Sequence, residues 1–383
     1  MARSERPQGL GRARKDDRQA DVAPRFAVGV DYWPRGTGLA LWREFDAAAL
    51  RDELAHVAAL GLNTLRFFVR WDDFQPQPGA PDATMLARFA TFVDLAGEAG
   101  LRTIPTLFCG AMDGALLLPP WARGRDLYTG TLLDEQLRFA RLAGERVRAH
   151  PAVRAWDIGH RFTDVSAPRR GSISTGGHGS VPVSERDVAA WSRRLSETLR
   201  DSSSIGATAG TFAGDLTADR RVRFDSLCAP FAFASMQGSG ADVPAARGSL
   251  DPEAVPFLAM LTAGFANQPV FVTGLSAAGL TDNVQAIWCT QVLERLHADG
   301  RLGALWWEWC DRAGATSGIV RADGTEKPVA QALAAFARER RPVLAAHDMP
   351  MISSTYYYRT LPTSMTTLYE AYLGFVHERR GED

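Results

Sequence analysis

From Arg25 onward, short apolar runs alternate with longer amphipathic stretches, and that alternation leaves few folds open to the chain. A parallel strand buried on both faces reads as a short continuous apolar run, and the crossover between two such strands reads as an amphipathic helix. The candidate strands are 26–32, 63–69, 102–108, 152–158, 206–211, 227–235, 270–273 and 304–309. The segment 46–60 carries Leu50, Leu54, Val57 and Ala58 on one face and stops at Gly61, as a helix with a glycine C-cap does. Comparable helices are predicted over 83–99, 133–149, 184–200, 252–265, 283–298 and 327–339, with a short fifth crossover over 215–224. About eight such units predict an α/β fold, a (β/α)8 TIM barrel.

A chain of 383 residues exceeds one average domain but fits one such barrel with additions. The expected division is a disordered arm over 1–24, a barrel over 25–341 and a C-terminal extension over 342–383. The extension contains Tyr356-Tyr357-Tyr358, too aromatic for free linker, and is expected to pack on the barrel. Long Gly-, Pro- and Ser-rich loops follow strands three (110–130) and four (166–183), where barrel loops wall an active site.

The formal net charge of −1 gives no reason to expect a polyanion partner, so nucleic acid binding is not expected. Cys109, Cys228, Cys289 and Cys310 are far apart and show no paired metal spacing. Free thiols in a reducing compartment, no metal and no cofactor are the expectation. Residues 1–24 have no apolar core of a signal peptide, which points to a cytoplasmic protein with no membrane anchor.

Two segments carry a more specific signal. Trp156-Asp157-Ile158-Gly159-His160-Arg161 resembles the Trp-x-x-Gly-Asn-Glu ending of strand four in clan A glycoside hydrolases, the cellulase and β-mannanase type of barrel. Pro269-Val270-Phe271-Val272-Thr273-Gly274 resembles the ending of their strand seven. Further segments continue the series in order: Gly29 to Pro34, Leu62 to Phe68, Trp71 to Pro76, Gly303 to Trp309 and Gly318 to Pro328. In that family a strand-four Glu is the acid/base and a strand-seven Glu the nucleophile, and the matching positions here hold Arg161 and Gly274. The resemblance further implies that Arg66 would face the nucleophile position, that His160 stands where the family has Asn, and that a tryptophan among Trp306, Trp307 and Trp309 forms a sugar platform. Strand six lacks the family's usual His or Tyr and ends near Gln237.

Retaining hydrolysis needs two carboxyl groups about 5 to 5.5 Å apart. Gly274 offers none, and a guanidinium stays protonated at any working pH, so Arg161 cannot serve as a base. A buried Arg66 needs a new acidic partner; the strand-end candidates are Asp31, Asp72, Asp164, Glu308 and Asp311, with Asp31 and Glu308 foremost. An anionic ligand held between Arg66 and Arg161 is the other possibility. The expected reading is a repurposed barrel acting on a small, anionic or cyclic, non-glycoside molecule by proton transfer: isomerisation, cyclisation or elimination. His160, Glu308 and Asp31 would move the proton, and Arg66, Arg161, Trp306, Trp307, Gly274 and Gln237 would line the ligand. Two alternatives stand beside it: a non-catalytic binding protein, and a β-glycosidase with engineered or relocated carboxylates. For each residue a plain structural role, an ion pair or a loop hydrogen bond, is the competing reading.

Overall fold

The computed structural model describes residues 24–112, 115–161, 184–219, 222–277, 279–312 and 315–381. Eight parallel strands close into a barrel: β1 (Ala27–Tyr32), β2 (Thr64–Phe68), β3 (Arg102–Thr106), β4 (Trp156–His160), β5 (Ala207–Phe212), β6 (Ala234–Ser239), β7 (Val270–Ser276) and β8 (Gly303–Trp307). Each pairs with its neighbours in sequence, and β1 closes the ring on β8 through Ala27 opposite Gly303. This is the (β/α)8 barrel that the alternation predicts.

The helices form where the apolar period is 3.6 and stop where capping chemistry changes. Ala47–Ala59 begins after Asp46, whose carboxylate accepts from the amides of Ala48 and Ala49, and buries Leu50, Leu54 and Val57. Ala83–Glu98 starts the same way behind Asp82. Such a cap is worth about 1 kcal/mol because it satisfies amides the helix cannot.

The sequence reading is displaced in two places. The sixth apolar run, 227–235, is not one strand: Phe224–Cys228 is helical and β6 starts only at Ala234. Pro230 lies inside the run and cannot donate to a ladder, which rules out a continuous central strand there. The fourth strand runs later than expected, at Trp156–His160, with Val153 reduced to an isolated bridge to Thr103.

Residues near the C-terminus bind the outside of the barrel. The buried hydroxyl of Tyr357 donates to the Leu216 carbonyl at 3.0 Å and that of Tyr358 to the Asp215 carbonyl at 2.9 Å. From the helix Thr363–Arg380, Tyr369 donates to Asp251 at 2.6 Å, Tyr372 to Glu253 at 2.9 Å, and Arg380 pairs with Glu253. No described helix is long and apolar enough to cross a membrane.

Candidate functional site

Two irregularities in the ladder shape the mouth of the barrel. Between Asp157 and His160, β4 spends three steps where β5 spends two, from Thr208 to Gly210. The extra residue re-phases the strand, so that both Asp157 and His160 turn toward the barrel axis. In β7 the span from Val272 to Leu275 opposes only Met236 to Gly238 of β6. Gly274 takes up that extra residue at φ +80°, a region that a side chain resists.

Beneath the mouth lies a closed ionic cluster. Arg66 is fully buried and donates from Nε and Nη2 to Asp157 Oδ2, at 2.8 and 2.6 Å, while its Nη1 reaches Asp31 Oδ2 at 3.5 Å. The Gln237 amide oxygen accepts from both terminal nitrogens of the same guanidinium, at 3.1 and 3.0 Å. Asp157 is held further by Thr106 and by the amides of Gly159 and Gly210. Gly210 is required here, since a Cβ on it would stand 2.3 Å from the Gly159 carbonyl oxygen.

Asp31 closes the cluster from β1. Burial pushes its carboxyl up to about 7, against the pull of Arg66 and with a further push from Asp157. Its Oδ1 has no hydrogen-bond partner, and its Oδ2 lies 3.3 Å from the place where a Cβ on Gly274 would stand. His160 turns Nδ1 down toward this cluster, 2.9 Å from the Gln237 oxygen and 3.1 Å from its amide nitrogen. Its ring stacks on Trp307, with centroids 5.5 Å apart and planes 3° apart, and meets the Phe68 ring edge to face. Burial, Arg66 and Arg161 together hold His160 well below the ordinary imidazole range, so it is neutral at neutral pH.

Above the cluster a pocket of about 270 Å³ opens between the strand ends. Its floor is His160, Gln237 and Gly274; Trp307, Phe212 and Met112 wall it; Arg161, Ser239, Asp242 and Ser276 stand at the rim. The Arg161 guanidinium lies 4.7 Å over the Phe212 ring. Asp242 accepts from the amide and hydroxyl of Ser239.

Several sequence expectations are corrected. Trp306 does not line the pocket: β8 alternates, and its indole packs outward on Trp288 and donates to the Ser317 carbonyl at 2.8 Å. Glu308 does not answer Arg66. It is buried against Arg312, which donates to both its oxygens at 2.6 and 3.1 Å, and it also accepts from Ser317. Arg66 and Arg161 do not form an anion clamp, because Arg66 is enclosed by Asp157, Asp31 and Gln237 beneath the floor. Asp72 pairs with Arg70 and Asp311 with Lys327, while Asp164 lies outside the described residues. Sequence reasoning missed Asp157, although it sits inside the quoted strand-four segment, because simple alternation sends it away from His160. Phe212 and Asp242 gave no sequence signal.

Cys109 and Cys310 are buried thiols, and burial drives Cys310 up to about 12, out of nucleophilic range. Among the described residues no group of three or more His, Cys, Asp or Glu is placed to hold a metal ion. A second, larger groove of about 470 Å³ lies off the barrel axis between Arg35, Glu53, His56 and Trp309.

A pocket at the C-terminal ends of the strands is where (β/α)8 barrels of many kinds carry their sites. Among solved structures the chain is similar to GH5_18 from Streptomyces cattleya in complex with GlcNAc, at 19% identity and a TM-score of 0.81, covering 94% of this chain and 92% of that one. It is also similar to GH5_18 from Bifidobacterium longum subsp. longum, at 19% identity and 0.76 over 84% and 81%. A third is the exo-beta-1,4-mannosidase Op5Man5 from Opitutaceae bacterium strain TAV5, at 24% identity and 0.72, over 83% of this chain and 60% of that one. Likeness at these identities establishes the fold alone. No family profile matches the sequence, and no curated protein matches it.

Proposed function

We propose that this chain is a glycoside-hydrolase-like barrel without the retaining machinery, and that its mouth pocket binds a small cyclic molecule. The observation that carries the reading is the chemistry of the floor. Arg161 follows strand four and Gly274 lies within strand seven, and the pocket lining includes, among the described residues, one carboxylate, Asp242, already engaged by Ser239. Two carboxyl groups facing one another across a sugar are what the retaining route requires. The aromatic walls Trp307 and Phe212, with His160, Gln237 and Ser276 between them, suit a flat or ring-shaped ligand that carries polar substituents.

One observation favours a second reading, proton-transfer chemistry on the bound molecule. Asp31, with its carboxyl at about 7 and one oxygen without a partner, has the ionisation expected of a group that exchanges protons at neutral pH. Glu308, pinned by Arg312, drops out of that scheme, and His160 takes the place of a neutral hydrogen-bonding group.

The test is a panel of nitrophenyl β-glycosides, including the β-mannoside and β-glucoside, followed by a small-molecule screen read by thermal shift. The expected result is no turnover of any glycoside, together with a ligand whose stabilisation is lost in Trp307→Ala. Turnover of a β-glycoside by the purified chain, abolished in Asp31→Asn or Asp242→Asn, would establish relocated carboxylates and overturn the proposal.

A further inference from the structure

On the reading that the mouth pocket binds a small cyclic molecule, we infer that the notch above Gly274 takes a protonated amine of that molecule, with Asp31 as its counter-ion.

Two carboxylates, Asp31 and Asp157, lie on the guanidinium of Arg66, and they do not share it equally. Asp157 takes it at 2.8 and 2.6 Å and is held further by Thr106 and two backbone amides. Asp31 meets it only at 3.5 Å, at the outer limit of a hydrogen bond, and its Oδ1 has no hydrogen-bond partner. Arg66 and Asp157 neutralise one another, so an ionised Asp31 is one negative charge in excess at a fully buried position.

The surrounding elements do not supply the balance. Strand β4 brings Asp157 and the neutral ring of His160, and β6 brings the uncharged amide of Gln237. Glu308, beyond β8, is held by Arg312, and Arg161 stands at the rim over Phe212. A buried carboxylate left in excess takes up a proton or a cation. The rise of the Asp31 carboxyl to about 7 is the first of these outcomes, and an ammonium group supplies the second.

Gly274 gives the ligand its way in. It lines the pocket floor, and the point where a Cβ on it would stand has Asp31 Oδ2 and Gln237 Cγ as its nearest atoms, both at 3.3 Å. A carbon placed there presses on the carboxylate oxygen, whereas an ammonium nitrogen advances a little further, to the ~2.8 Å of a charge-assisted bond. A hydroxyl makes the same bond but leaves the excess charge unmet, and an anion adds to it. Below about pH 7 the incoming ammonium displaces the Asp31 proton to solvent.

The experiment titrates the full chain with cyclohexylamine and with cyclohexanol, a charged and an uncharged ring of the same size, following binding by NMR between about pH 5 and 9. At about pH 8 the amine should bind about ten- to a hundredfold tighter than the alcohol. Its affinity should fall about tenfold per pH unit below 7, while that of the alcohol stays level. Asp31→Asn should reduce the amine to the affinity of the alcohol, and Gly274→Ala, which puts a methyl group in the notch, should do the same. An amine no tighter than the alcohol, a preference that ignores pH, or one that survives in Asp31→Asn would each overturn the inference. Saturable binding of the alcohol with no preference for the amine would sink the counter-ion and leave the binding proposal standing, and glycoside turnover would remove that proposal by its own test.

Discussion

Asp31 shows how one side chain writes itself into the pH dependence of the whole protein. Its carboxyl titrates near 7 when folded and near 3.9 when unfolded. Between those values the folded chain holds a proton that the unfolded chain has lost, so stability falls as pH rises through the window and stays low above it. Asp31→Asn removes that dependence. Urea unfolding should find the variant more stable than wild type at pH 8, by up to about 4 kcal/mol, with the gap closing as pH falls toward 4. A wild-type stability that does not fall between pH 4 and 8 relative to the variant would contradict the shift. At this scale the sequence was half legible. Arg66 with its partner Asp31, and His160, Gly274 and Trp307, could be named from strand-end positions, while the closer partner of Arg66, Asp157, could not.

The reason lies one level up, in the strands. Counting alternate residues sorts inward from outward side chains only while the ladder is regular, and it fails where β4 and β7 each carry an extra residue. Those two bulges put Asp157 and His160 on the same side and leave Gly274 in left-handed backbone. Gly274→Glu is therefore more than a change of side chain. The new Cβ would stand 3.3 Å from both Asp31 Oδ2 and Gln237 Cγ, on a backbone that costs a side chain about 1 to 2 kcal/mol. The variant should melt lower than wild type and show no β-glycosidase activity even when combined with Arg161→Glu. A double variant that melts like wild type would show that the bulge tolerates a side chain there. Gly210→Ala should be costlier still, since its Cβ would meet backbone at 2.3 Å.

For the whole molecule, the alternation of apolar runs and amphipathic helices was enough to give the barrel, because strand order follows chain order all the way round. The count of eight held, but the stretch around Pro230, where an apolar composition hides a helix and a turn, delayed the sixth strand to Ala234, and the fourth likewise starts late. The volume and chemistry of the mouth were not legible, since they come from loops and bulges instead of from period. The contacts of the C-terminal residues add a connection that no local pattern reveals. Tyr357 and Tyr358 donate to the carbonyls of Leu216 and Asp215, and Asp215 in turn accepts from the amide of Phe212, a pocket wall. Replacing both tyrosines with phenylalanine leaves two buried carbonyls short of a donor, at about 1 to 3 kcal/mol each. Hydrogen exchange should quicken in 212–217 and leave β1 to β3 unchanged.

That connection also gives the pocket a place in time. A ribosome delivers the chain from its first residue to its last, so the eight strands are available before Tyr357 and Tyr358 have left the tunnel. The two hydrogen bonds that brace 215 and 216 behind Phe212 can form only once those tyrosines are available, so a nascent barrel arrested short of them would lack that brace.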